Sequence, residues 1–115
     1  MITTNNDTNK YLVTKHAIKR IHQRVGVGKK ASAKLAKEAF ENGLKRTEVT
    51  GLLRKHLDDV YDASGTANNL RVYNQKVYIF CENRLVTVLP LPQIYYNLEM
   101  IMKKKKQKKL MKEAI

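Results

Sequence analysis

His16, Arg20 and Arg24 fall at i, i+4 and i+8, so a helix through them stacks one imidazole and two guanidiniums in a single ridge. Lys19 lies beside it. An imidazole titrates near neutrality. A guanidinium presents a planar fork of donors to anions. Like charges at this spacing cost a few tenths of a kcal/mol per pair, which a purely structural role would not favour. A solvated basic face would show the same pattern, so the spacing marks a candidate site without fixing its chemistry.

A second constellation lies in residues 69–90, where three runs rich in Val, Ile, Leu, Tyr and Phe are separated by Asn74-Gln75 and Glu82-Asn83 and closed by Pro90. This is the pattern of an antiparallel meander. Two-residue turns would pair Arg71 with Tyr78, Tyr78 with Thr87, Val72 with Val77 and Ile79 with Val86. Alternation then sorts Leu70, Val72, Val77, Ile79, Cys81, Val86 and Val88 to one face. Arg71, Tyr73, Lys76, Tyr78, Phe80, Leu85, Thr87 and Leu89 fall on the other. Cations interleaved with aromatics suit phosphates and stacked bases. Left open, that face would be a nucleic-acid platform carried by Arg71, Tyr73, Lys76, Tyr78 and Thr87. Outer tyrosines of a half-covered sheet would look alike.

The charge balance narrows the partner. The chain has 115 residues, with 23 Lys and Arg against 10 Asp and Glu, a net +13. That excess in a single domain points to a polyanion, nucleic acid before an anionic membrane. The single cysteine, Cys81, forbids an internal disulfide and reads as a core residue. No Cys/His spacing resembles a zinc site, and neither metal nor cofactor is expected. With no apolar run of signal or spanning length, the expected location is cytoplasmic.

Helices must position the ridge. Residues 1–10 are read as a disordered lead-in, and Tyr11-Leu-Val13 as a short edge strand or hydrophobic lead-in. Thr14 caps a first helix from Lys15 to about Val25, whose buried stripe is Ala17, Ile18, Ile21 and Val25. A second helix spans about Lys30 to Asn42, with Gly43 in the usual C-terminal position. A third starts near Thr47, or after Thr50, and ends near Tyr61. His56 lies within its stripe and reads as a satisfied core or boundary histidine rather than a catalyst. Asp58 and Asp62 could hold Mg²⁺ on one face or pair with the basic first helix. After Pro90-Leu-Pro92 a last helix carries Lys103, Lys104, Lys105, Lys106, Lys108, Lys109 and Lys112. From Gln93 onward seven lysines face two glutamates, a net +5, the signature of an arm for a polyanion. The expected fold is α+β: N-terminal helices covering the Val72–Val77–Ile79–Val88 face of a three- to four-stranded antiparallel meander, with a basic C-terminal helical tail over 93–115.

Two segments together, the His16-Ala-x-x-Arg20-x-x-x-Arg24 helix and the meander of residues 68–92, resemble a family of small proteins of phages and bacterial mobile elements. That family is similar to the barnase–EndoU–colicin–RelE group of metal-independent ribonuclease toxins. The resemblance covers about residues 11–92 and excludes the lysine tail. It implies a functional helix bearing His16, Arg20 and Arg24, supported by Arg71, Tyr78 and Thr87 on the sheet. In metal-free RNA cleavage a base takes the 2′-hydroxyl proton, an acid serves the leaving oxygen and cations hold the phosphoryl group. His16 would be acid or base, Arg20 and Arg24 the phosphate clamp, and Tyr78 a substrate-orienting or stacking group. No second histidine completes the pair. The competing expectation is a non-catalytic nucleic-acid binder or inhibitor using the same surface, with RNA favoured over DNA and an acidic protein partner or antitoxin as a further candidate. Membrane attachment lacks Trp and a broad apolar face.

Overall fold

The computed structural model describes residues 13–114. The expected disordered lead-in, with Tyr11 and Leu12, lies outside the described residues. Four helices, α1 (Lys15–Arg24), α2 (Lys29–Asn42), α3 (Gly51–Ala63) and α4 (Tyr96–Ala114), accompany four strands. These are β1 (Leu44–Lys45), β2 (Asn69–Tyr73), β3 (Lys76–Cys81) and β4 (Arg84–Pro90), joined in the order β1-β2-β3-β4 as one antiparallel sheet. Short 3-10 turns, Arg46–Glu48 and Gln93–Tyr95, precede α3 and α4. The α+β class is therefore as expected.

The β2–β3 hairpin keeps the expected register, with Arg71 opposite Tyr78 and Val72 opposite Val77. Asn74 and Gln75 both have positive φ (46° and 65°), as a two-residue turn matching the strand twist requires. The β3–β4 register is corrected. Phe80 faces Leu85 as the turn dictates, but Ile79 then faces Thr87 and Tyr78 faces Val88, with Val86 the extra residue of a bulge. One inserted residue reverses which side each later side chain takes. Val88 thus joins Tyr78, Phe80 and Leu85, while Leu89 packs with the Val72 side.

That exchange lets both faces be covered. Ala17 and Ile21 of α1 with Ala36 and Ala39 of α2 pack on Tyr78, Phe80, Leu85 and Val88. Leu53 and Leu57 of α3 with Met102 of α4 pack on Leu70, Val72, Val77 and Ile79. The expectation that the first three helices share one face is overturned, because Val77-Tyr-Ile-Phe80 is buried throughout and each of its sides needs cover.

Gly43 ends α2 for lack of space, not for a left-handed turn: its φ is −69°. A Cβ there would stand 2.5 Å from the Ala39 carbonyl oxygen and 2.9 Å from the Arg71 Cβ. The absent side chain lets the chain enter β1 hard against β2.

Candidate nucleic-acid interface

α1 is fastened to the free edge of β4 at both ends. Thr14 accepts from the Ala17 N–H (3.1 Å) as N-cap and donates its hydroxyl to the Val86 carbonyl (3.2 Å). The Thr14 N–H reaches the Leu85 carbonyl (3.1 Å), and Val13 forms a parallel bridge with Leu85. At the far end an Arg24 Nη1–H donates to the Val88 carbonyl. An edge strand leaves such groups unpaired, so the helix itself completes the sheet.

These bonds divide the ridge. Arg24 is half-buried and engaged by the sheet edge. His16 is exposed and Arg20 half-exposed, and the Arg20 Nε–H donates to His16 Nε2 (3.4 Å) while its Nη1–H donates to Gln23 Oε1 (2.9 Å). Two of the five guanidinium N–H groups hold the fork in place. The helix has four Lys and Arg and no acid, so nothing within it neutralises the cluster.

The sheet residues behave differently. Tyr78 is only 1% exposed and Arg71 6%, so the open platform expected from the alternation is covered by α1 and α2. Burial pushes the Tyr78 hydroxyl far above the ordinary phenol range, and Tyr73 and Glu38 push it the same way. The Arg71 Nε–H donates to the Phe40 carbonyl (2.9 Å), its Nη1–H groups to Asn69 Oδ1 and the Leu70 carbonyl, and the guanidinium lies over the Phe40 ring (4.5 Å). It locks α2 to β2. Half-buried Tyr73 donates to Glu38 Oε2 (3.3 Å). Thr87 opposes Ile79 and so lies across the sheet from Tyr78. Lys76 is half-buried beside Pro90 in the register. The geometry leaves His16 and Arg20 together and separates Tyr78, Arg71 and Thr87 from them.

The acidic end of α3 also has its own partners. Asp58 Oδ1 takes Arg46 Nη1 (2.7 Å) and Arg54 Nε (3.0 Å). These cations come from the turn before α3 and from α3 itself, not from α1. Their hydrogen bonds, Arg46 first, hold the carboxyl below its usual range. His56 stacks on Tyr95 at 4.8 Å, the boundary role expected of it. Among the described residues, no three His, Cys, Asp or Glu side chains gather as a metal site would need.

The lysines of α4 are not one set. Lys106 Nζ donates to the Gly43 carbonyl and Glu48 Oε1, both at 3.0 Å, fixing the helix to the β1 edge. Burial raises the Glu48 pKa, but the Lys45 N–H and the Lys106 ammonium outweigh it and leave the carboxyl lowered. Lys103, Lys104, Lys105, Lys108, Lys109 and Lys112 are exposed. One residue escaped the sequence reading. Glu99, buried at the root of α4, accepts from the Gln75 N–H (3.1 and 3.3 Å). A lone acid ahead of a lysine run was the available signal. Comparison with protein-family models, curated proteins and solved structures finds no match. No helix among the described residues is long and apolar enough to cross a membrane.

Proposed function

We propose that this protein binds RNA in the cytoplasm through the exposed face of α1. The observation that carries the reading is the His16–Arg20–Gln23 cluster, an oriented guanidinium on a helix with four Lys and Arg and no acid, whose opposite face is buried. Phosphate affinity needs a cation held in place, and the net charge of +13 supplies long-range attraction. The choice of RNA rests on the resemblance of the His16–Arg24 helix and the meander to the ribonuclease-toxin group. An acidic protein partner would meet the same surface.

A second reading is metal-independent RNA cleavage. It is favoured by one feature: the His16 imidazole touches the guanidinium that would hold the phosphate (3.4 Å), the pairing an acid/base group needs. Against it, Tyr78 lies in the core and no second acid/base side chain joins the ridge in the described contacts.

Titrating single-stranded RNA in chelator at several salt concentrations, with cleavage followed in parallel, tests both. Arg20→Ala is expected to weaken binding and lower the log–log salt slope by about 0.7, the worth of one single-strand phosphate contact. His16→Ala is expected to weaken binding less than Arg20→Ala, because Gln23 still holds the guanidinium. Unaltered affinity and slope in Arg20→Ala would remove α1 as the interface. Cleavage by the wild type that falls about 10²- to 10⁴-fold in His16→Ala would establish the catalytic reading.

A further inference from the structure

α4 changes character along its length. Leu98 and Met102 pack on the sheet, Glu99 latches the β2–β3 turn, and Lys106 grips Gly43 and Glu48 at the β1 edge. From Gln107 to Glu113 every residue is exposed. Lys105, Lys108, Lys109 and Lys112 stand at i, i+3, i+4 and i+7, which places four ammonium groups along one stripe of the helix. Spaced about 5–6 Å apart at their roots, they repel one another; Glu113, at i+4 from Lys109, offsets one of them, and a polyanion running along the stripe would relieve all four. Lys105, Lys106 and Lys109 also wall a cleft of about 290 Å³ with Thr47 and Thr50. Its carboxylate, Glu48, is occupied by Lys106 and the Lys45 N–H.

This stripe belongs to a helix on the opposite side of the sheet from α1. α1 lies over β4 on the Tyr78 side of the sheet, and α4 lies on the Val72 side with Lys106 at the β1 edge. β1 and β4 are the two edges of the sheet, about 14 Å apart at three strand spacings, with the sheet between the two helices. A single phosphate backbone running straight does not meet both.

We infer that the Lys105–Lys108–Lys109–Lys112 stripe is a second nucleic-acid backbone site, separate from α1, so that one chain holds two strands. An anionic bilayer fits less well, because the exposed Met100, Ile101, Leu110 and Met111 are interrupted on the helix surface by Lys103, Lys104, Gln107 and Lys108, leaving no continuous apolar face to insert. The two-strand count rests on the α1 reading; the stripe as a site does not.

The test uses the full chain, a short fluorescent single-stranded RNA and a second immobilised RNA, with sedimentation to establish that the protein is monomeric. Wild type is expected to bind two short RNAs per chain and to carry the labelled one to the immobilised one. Changing Lys105, Lys108, Lys109 and Lys112 together to Gln should leave one RNA per chain, abolish bridging and lower the summed salt slope by about 2 to 3. Arg20→Ala should weaken bridging while the stripe still binds. Unchanged stoichiometry and slope in the stripe variant would overturn the inference, as would bridging by a dimer, or a variant that loses only binding to vesicles of anionic lipid. If Arg20→Ala has no effect and the stripe variant binds no RNA, the stripe stands and the α1 reading falls.

Discussion

α1 and α4 are the two most basic helices of the chain, and they are attached to the same sheet in opposite ways. α1 is fastened at both ends by bonds to β4 carbonyls and buries Ala17 and Ile21 between. Its charge therefore sits on a rigid surface, and part of it, Arg24, is taken up by the attachment. α4 is fastened only at its root, through Glu99, Met102 and Lys106, and then leaves the core. Its lysines beyond Lys106 are exposed. Oriented charge suits recognition of a particular phosphate; a projecting stripe suits binding that ignores sequence. The same residue types thus yield two kinds of surface, according to where their helix is tied down.

The largest effect that can break this contrast is on stability. Ile21 is fully buried against the Phe80 side of the sheet, and Ile21→Ala is expected to cost about 2–5 kcal/mol in urea unfolding. Deleting residues 107–115 is expected to change stability by less than about 0.5 kcal/mol, since the side chains it removes from 107 to 113 are exposed. A truncated chain as unstable as Ile21→Ala would show that the end of α4 belongs to the fold after all.

This contrast was only partly legible in the sequence. Periodicity locates the helices and the hairpins, because the stripe of α1 and the alternation of β2 and β3 are strong local signals, although Val25, expected in the α1 stripe, is exposed. The Thr14 cap was equally local. What failed was the bulge at Val86, which no residue type announces and which moved Val88 across the sheet. With it went the expectation of an open aromatic face. Tyr78 and Arg71 looked like site residues because tyrosine and arginine bind nucleic acid, but both also bury well when hydrogen-bonded or stacked, as Arg71 is on Phe40. Long-range placement decided the matter, and spacing along the chain does not encode it. The same holds for Arg24, whose partner is 64 residues away.

A smaller effect sharpens the account of how α1 is held. Thr14→Ala removes the cap bond to Ala17 and the tie to Val86, and is expected to cost about 1 kcal/mol. Neither bond involves a titratable group, so the loss should be constant across the pH range. Denaturation at pH 5 and pH 8 checks this. A cost that changes between the two would show that the α1 attachment depends on charge.

The smallest effect distinguishes the root of α4, which should depend on pH where α1 does not. Burial raises the Glu99 pKa above its ordinary 4.5; the Gln75 N–H, Lys103 and Lys76 oppose the shift without cancelling it. A carboxyl with a raised folded-state pKa contributes stability that is fully present below its unfolded value and is lost as pH rises through the folded one. Glu48 and Asp58, with lowered values, act in the opposite sense, so the wild-type profile alone mixes the signs. Comparison with Glu99→Gln isolates the group, because the amide oxygen can still accept from Gln75 while the charge is gone. As pH rises from about 4 to neutrality, wild type should lose stability relative to Glu99→Gln. Should wild type gain on the variant instead, the Gln75 N–H and the two lysines would outweigh burial. The latch under α4 would then be an ion-stabilised contact that strengthens with pH.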